Sequence, residues 1–267
     1  MKTASLSRFV TLLALALPSA AFAEDERTES NDISGYSTLG IAALPEYEGA
    51  DDYQILPLVD GKLSFGERYV AIQGTAIRAN VIAADKIEFG PVASFTFGRD
   101  ADIKNAAVAD LGRIKDAYEV GAFAATTFDV AGNDSLRLSL QGVHDVSDVH
   151  GGYVIAASAT YAAPVGERVN LQFDLGASYA SDDYAETYFS VTPAGAVASG
   201  LPQFAAKGGL KDVGAQIIAS YRIGDNWGIA ATATYRRLLG DFADSPVVKA
   251  GGSADQLSGG VGVFFTF

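Results

Sequence analysis

The sequence predicts an all-β chain folded as a transmembrane antiparallel up-and-down β-barrel of twelve strands, with ten as the alternative count. Three observations predict it. Apolar and polar residues alternate with period two from about residue 33 to the last residue. The alternating runs are eleven or more residues long, whereas an ordinary globular strand has about 5–6 and a tilted membrane-crossing strand about 9–11. The face opposite the apolar one carries charges of both signs, including Asp60, Lys62, Arg78, Glu88, Glu119, Arg137, Asp174, Arg222 and Arg236.

The N-terminus reads as a secretory signal peptide. Lys2 and Arg8 precede an apolar run from Phe9 to Leu17, Pro18 breaks it, and Ala21-Phe22-Ala23 is a small-residue site with cleavage expected before Glu24. The expected organisation is therefore signal peptide over 1–23, a polar flexible arm over 24–32, and one barrel over 33–267. The sequence has no cysteine, which excludes disulfides, thiolate metal sites and a lipid-anchored N-terminus. With Lys2 and Arg8 removed, 17 basic residues stand against 32 acidic. That balance excludes nucleic acid as a partner, because its phosphates need a basic footprint.

Eleven strand segments follow, at 33–43, 54–65, 69–82, 86–98, 117–129, 135–146, 152–163, 168–180, 211–223, 226–238 and 256–267. In the eighth, Val169, Leu171, Phe173, Leu175, Ala177 and Tyr179 fall on one face and Asn170, Gln172, Asp174, Gly176 and Ser178 on the other. Successive strand side chains point to opposite faces, and a helix cannot separate them this way. In the ninth, Val213, Ala215, Ile217, Ala219 and Tyr221 share a face and Ile218 breaks the pattern. Tight turns at 131–134, 164–168 and 224–226 alternate with long acidic Gly/Ala-rich connections at 99–116, 181–210 and 239–255. Short turns at one rim and long loops at the other characterise outer-membrane barrels. Single-chain bacterial barrels have an even strand number, so a twelfth strand is expected within 181–210, around Thr187–Thr192, or within 99–116.

A soluble sandwich also alternates, but burying so many charges between two sheets is costly, whereas a lumen lets them pair or stay wet. Tyr153 with Tyr161, Tyr118 with Phe128, and Trp227 with Tyr235 bracket their strands on the apolar face. At about 3.3 Å per residue and a tilt of about 40°, that spacing matches a lipid-facing band roughly 25 Å tall with aromatic girdles. The last strand, Ser258 to Phe267, shows Val261, Val263, Phe265 and Phe267 to lipid and is expected to close against the first, with its glycines leaving room in the lumen.

Candidate chemistry is sparse. His144 and His150 bracket a short loop but have no third ligand at a defined spacing, and read as ordinary interfacial or loop residues. Ser245 lies in an Asp-Ser-Pro turn, not a nucleophile elbow. Glu46, Glu48, Asp51 and Asp52, beside Tyr47 and Tyr53, read as a solvated acidic rim whose spacing is not that of a calcium loop. Arg78, Arg137, Arg222 and Arg236 form a basic lumen stripe that either favours anions or is consumed in internal salt bridges. No catalytic residue, metal ligand or cofactor site is assigned.

Three stretches resemble the MipA/OmpV family of outer-membrane proteins. They are Pro45 to Tyr53 (PEYEGADDY) followed by Leu56-Pro57-Leu58; Glu186 to Pro193 (ETYFSVTP) with Ser199-Gly200-Leu201-Pro202 downstream; and Tyr235 to Val248 (YRRLLGDFADSPVV). They occur in the family's order across nearly all of the chain after residue 32. Ser190 stands where the family commonly has Gly, and Phe265 where a Tyr is usual. On this resemblance Tyr47, Glu48, Gly49, Asp51, Asp52, Tyr53, Tyr188, Phe189, Ser199, Gly200, Leu201, Asp241, Asp244, Ser245 and Pro246 become candidate interaction residues. Phe267 resembles the terminal aromatic that such proteins offer to the barrel-assembly machinery. The resemblance implies a non-enzymatic barrel in the outer membrane of a Gram-negative bacterium. For the best-described members it further implies a scaffold joining a lytic murein transglycosylase to a penicillin-binding murein synthase. A small-solute pore and a surface adhesin are the alternatives.

Overall fold

Twelve antiparallel strands close on themselves, each paired with its neighbours in sequence and the last with the first. The computed structural model describes residues 33–267, so the expected signal peptide and polar arm lie outside the described residues. The strands are β1 (Ile33–Pro45), β2 (Tyr53–Phe65), β3 (Arg68–Gln73), β4 (Ala76–Asn80), β5 (Ile87–Thr96), β6 (Ala117–Asp129), β7 (Ser135–Asp145), β8 (Tyr153–Val165), β9 (Val169–Ala180), β10 (Gly209–Arg222), β11 (Trp227–Leu238) and β12 (Asp255–Thr266). Closure runs from Tyr36 opposite Thr266 to Ala43 opposite Gly259. Beyond that ladder Gly35 and Phe267 exchange backbone hydrogen bonds of 2.9 and 3.0 Å. A closed sheet leaves no unpaired edge in the hydrocarbon layer, where an unsatisfied backbone group is costly.

The twelfth strand is not in either long connection, which fold as helices and irregular chain. It comes from segment 69–82, which is a hairpin and not one strand: β3 turns at Gly74-Thr75 into β4, with Gln73 opposite Ala76. Gly74 supplies the left-handed conformation the turn needs (φ 58°). The two-residue loop flips the phase of the alternation, so Val70 and Ile72 face outward on one side of it and Ile77 and Val81 on the other. Both strands are short, and β2 meets β3 only from Asp60 onward. The wall is therefore low here, and the β5–β6 connection folds over the notch: Lys104 Nζ reaches Asp52 (3.1 Å) and its backbone N–H donates to Glu46 Oε2 (2.9 Å).

The outward face is the expected one. Leu39, Ile41, Ile55, Phe89, Leu140, Leu175, Ile229 and Val261 are exposed, as are Tyr118, Phe128, Tyr153, Trp227 and Tyr235 of the two girdles. Lipid covers this surface, so exposure to solvent is not its cost.

The lumen is packed. Ala42 and Leu44 of β1, Leu56 and Leu58 of β2, Ile218, Ala230 and Phe264 form one buried apolar cluster with Phe97 against it. Ile218 breaks the outward pattern because it faces this cluster. Tyr69, Ala71, Ala76, Val92, Phe123, Ala125 and Val143 form a second cluster across the barrel. The β12 glycines leave no open space: a Cβ on Gly262 would lie 3.0 Å from Thr38 Cγ2, and one on Gly260 would lie 3.4 Å from Leu58 Cδ2. Small residues there let the neighbouring side chains fill the interior.

The basic stripe is largely consumed internally. Arg137 pairs with Glu88 at 2.6 Å, and Tyr69 Oη donates to the same carboxylate at 2.7 Å. Arg236 pairs with Asp212 (3.5 Å), and Arg78 lies over the Phe123 ring, 5.4 Å from its centroid. Of the two readings open for these arginines, internal pairing describes Arg137 and Arg236.

The turns at 66–67, 131–134, 166–168 and 224–226 share their rim with Ile33 and Phe267, which makes it the periplasmic side by the general rule for bacterial barrels. The long connections are at the other rim. They contain α1 (Ala106–Ala109), α2 (Asp182–Phe189), α3 (Pro193–Ser199), α4 (Gly240–Asp244) and α5 (Pro246–Lys249).

Candidate functional site

The helices of the outer loops are short, and all but α4 are started by a side-chain cap. Ser181 caps α2 by accepting from the Tyr184 N–H, and Asp182 and Asp183 in its first turn complement the helix dipole. Thr192 caps α3, Pro193 opens it, and Gly200 ends it in the left-handed conformation (φ 75°). Ser245 caps α5 with Pro246 at its start. None would persist alone at 4–8 residues, so packing between the loops holds them.

That packing joins the three motif stretches into one cap. Tyr47 and Ala50 from the first, Val191 and Leu201 from the second, and Val247 from the third share a buried cluster with Val108 of α1. Phe189 and Phe242 meet edge to face, ring centroids 5.1 Å apart. The Ser245 hydroxyl donates to the Phe189 carbonyl at 2.5 Å. Gly49 sits against Val248 with φ +98°, donates its N–H to Gln256 Oε1 (3.1 Å), and accepts from the Ser253 N–H (2.9 Å).

The remaining candidates make local contacts within the loops. Ser199 Oγ donates to the Gly195 carbonyl and accepts from the Leu201 N–H, tightening the end of α3. Asp241 accepts from the Lys207 N–H (2.9 Å), Asp244 pairs with exposed Lys249 (2.7 Å), and Pro246 is buried. Asp51 and Tyr53 are exposed, and Asp52 holds Lys104. Phe267 is exposed at the opposite rim, beside Gly35.

Two expectations are corrected. Glu48 does not belong to a solvated rim: it turns inward, 2.5 Å from Lys211 Nζ, and accepts from Tyr184 Oη at 2.9 Å. Lys211 is buried because β10 carries a bulge between Leu210 and Asp212 against β9. The extra residue places Lys211 and Asp212 both in the lumen, a familiar use of a bulge. Asp212 also accepts from Ser178 Oγ (2.6 Å) and meets Arg236, so two acids and two bases neutralise one another.

His150 is likewise not an ordinary loop residue. The Asp145 carboxylate accepts from the N–H groups of Val149, His150 and Gly151, curling the loop and turning the ring inward. The Gly152 N–H donates to His150 Nδ1 (3.1 Å), so Nε2 carries the proton and donates to Glu119 Oε1 (3.2 Å). Ser94 and Thr96 donate to the other Glu119 oxygen. Tyr184 and Tyr188 pack on the imidazole, 5.1 and 5.7 Å between centroids. His144, six residues earlier, is exposed at the end of β7. Among the described residues no group of three or more His, Cys, Asp or Glu side chains is placed to hold a metal ion.

Beneath the cap lies a cavity of about 250 Å³. Its lining includes Leu44, Tyr47, Phe95, Phe97, Arg99, Glu119, Tyr188, Lys211 and Arg236. A second cavity of about 190 Å³, lined by Arg78, Arg137 and Asp174 among others, shares Gln141, Ala156, Ser178 and Arg236 with it. Burial pushes the Tyr47 phenol up to about 12, against the opposing charge of Arg99. Burial likewise raises Tyr184 and Tyr188, with Glu48 and Glu119 adding to it. All three phenols are therefore neutral donors at physiological pH. The sequence carried one local signal for Lys211, the three-residue step from outward Leu210 to outward Val213. It carried none for Arg99, which an irregular loop brings in.

A closed twelve-strand barrel with lipid outside, a packed lumen and a folded outer cap defines a single-chain outer-membrane β-barrel protein. Residues 38–267 match the family model described as MltA-interacting protein MipA, and the chain belongs to that family. It is 32% identical over 124 residues to outer membrane protein Omp26La of Vibrio anguillarum, covering 46% of each chain. Outer membrane protein OmpV of Vibrio cholerae matches at the same identity and coverage. The match spans about half the length of these relatives. Among solved structures, an outer membrane channel from Pseudomonas putida F1 is similar at 10% identity and a TM-score of 0.46, covering 94% of this chain and all of that one. The NanC porin is similar at 8% identity and a TM-score of 0.43, covering 88% of this chain and all of the porin.

Proposed function

We propose that this barrel is a non-enzymatic, non-conducting anchor in the outer membrane for murein-remodelling enzymes, a lytic murein transglycosylase first among them. The observation that supports the non-conducting part is the occupied interior: the Ala42–Leu58–Ile218–Phe264 cluster and the Arg137–Glu88 pair fill part of the lumen, and the packed loops cap its outer mouth. The family description, which names an interaction with MltA, supports the partner. A penicillin-binding murein synthase is the third component of the same scaffold.

On this reading the motif residues build the outer cap, and the periplasmic partner meets the opposite rim. That rim carries Glu67, Asp85, Asp129, Asp134, Glu167 and Asp225 against Arg68, Lys86 and Arg168. An acidic rim favours a partner with a basic contact face and a salt-sensitive association rate.

The test is co-purification of tagged protein from a gentle detergent extract, with planar-bilayer recording on the same preparation. A transglycosylase retained at low salt, with no conductance steps, is the expected result. Loss of every murein enzyme at low salt removes the scaffold, and discrete steps remove the closed lumen.

A further inference from the structure

Three hydrogen-bonding groups that line the cavity beneath the cap have no protein partner. They are the Tyr47 hydroxyl, the Tyr188 hydroxyl and Arg99 Nε. Tyr47 and Arg99 are 8% and 6% exposed. Asn105 lies beside Tyr47, but its amide donates to the Ala250 carbonyl (2.7 Å) and its oxygen accepts from the Val108 N–H (3.2 Å). Arg99 is also unusual in charge. The other two cations of the lining are matched, Lys211 by Glu48 and Asp212, and Arg236 by Asp212. Arg99 has no ion pair among the described residues. A buried guanidinium without an anion is strongly unfavourable, and proteins retain such groups where a ligand supplies the missing charge.

We propose that this cavity binds a small organic anion, a monocarboxylate on an aromatic or short aliphatic body. All three orphan groups are donors, and a carboxylate is an acceptor that takes several hydrogen bonds at once. Arg99 offers the planar fork that matches it, and the phenol of Tyr47, which feels the Arg99 charge, adds a donor, while Tyr188 lies toward Glu119. Leu44, Phe95 and Phe97 line the same space and cover the body. Glu119 is already engaged by Ser94, Thr96 and His150, so it sets the end of the cavity that the carboxylate avoids. A few convergent polar groups over an apolar lining are the general form of a small-molecule site. The proposal stands whether or not the barrel anchors murein enzymes.

The test is isothermal titration of the full barrel in non-ionic detergent with benzoate, phenylacetate and hexanoate, using benzamide as the neutral isostere. At least one acid should give a saturable heat, with benzamide at least about tenfold weaker, the loss expected when a charged hydrogen-bond partner is removed. Arg99→Met should lose the acid by at least about tenfold and Tyr47→Phe by a few-fold, both still showing heat-modifiable gel migration. If Arg99→Met does not fold, Arg99→Lys keeps the charge, loses the fork and should weaken binding several-fold. A ligand role also predicts that Arg99→Met unfolds at higher denaturant than wild type when no acid is present, because an unpaired buried charge is gone. No saturable heat from any of the three acids, equal binding of benzamide, or unchanged acid binding in the folded variants would each overturn the proposal.

Discussion

The Ser245 hydroxyl and the Phe189 carbonyl, 56 residues apart in the chain, form a buried 2.5 Å hydrogen bond that ties α5 to the end of α2. The same oxygen accepts from the Val247 N–H at 3.1 Å and so starts α5. Replacing Ser245 with Ala strands a buried carbonyl and removes a cap at once. Each loss is worth about 1–2 kcal/mol. The expected outcome is a cap that opens while the barrel stays closed. Limited proteolysis should then cut within 181–208 and 239–254, with heat-modifiable migration retained. A Ser245→Ala protein as resistant as wild type would show that the cap does not depend on this bond.

Gly49 is held by two independent demands. Its φ of +98° suits glycine, and a Cβ would lie 2.5 Å from Val248 Cγ2. Gly49→Ala should cost about 1–3 kcal/mol from the backbone alone, plus the displacement of Val248. The pair Gly49→Ala with Val248→Ala separates the two: it recovers the steric part and leaves the conformational part. Denaturant midpoints of the single and double variants measure the difference. Full recovery in the double variant would mean that the backbone adapts without strain.

Legibility in the sequence followed the length scale of the interaction. Strand faces depend on neighbours two residues apart, so ten segments, the girdles of Tyr118, Tyr153 and Trp227, and the closing pair of β1 and β12 were all readable. The β3–β4 hairpin was missed because Gly74-Thr75 interrupts the alternation without a composition change. Its trace is a phase flip between Ile72 and Ile77. The motif residues could be named but not joined: that Ser245 meets Phe189, or that Gly49 meets Val248, is decided by loops closing across the barrel mouth. The inward turn of Glu48 and the burial of His150 were invisible for the same reason. Their partners, Lys211 and Glu119, lie on strands 163 and 31 residues away.

The cap phenols couple stability to alkaline pH. Tyr47, Tyr184 and Tyr188 have folded-state values above the ordinary 10.0, and Tyr47 is at about 12. The unfolded chain therefore releases these protons at lower pH than the folded one. Their contribution is complete below pH 10 and is lost as pH rises through the folded values. Cap protection from protease should be constant from pH 8 to about 10 and fall steeply above it. Tyr188→Phe should make the fall shallower, because phenylalanine has no proton to lose. An identical pH profile in that variant would remove Tyr188 from the linkage.

Lys211 and Glu48 are two of four charges that neutralise one another below the cap, and removing one should cost more than removing both. Lys211 is buried through the β10 bulge, so Lys211→Met leaves Glu48 with only the Tyr184 hydroxyl and deprives Asp212 of one of its two cations. Breaking a buried pair from one side costs about 3–5 kcal/mol, whereas replacing both charges by neutral groups of similar size is often close to neutral. The single variant should therefore lose its denaturation midpoint sharply. Lys211→Met combined with Glu48→Gln should recover much of it, because Asp212 keeps Arg236 and the Ser178 hydroxyl. Chemical denaturation of wild type, Lys211→Met, Glu48→Gln and the double variant in one detergent gives the coupling directly. Additive losses would mean that the two side chains are solvated separately, and that Lys211 is held in the lumen by the bulge alone.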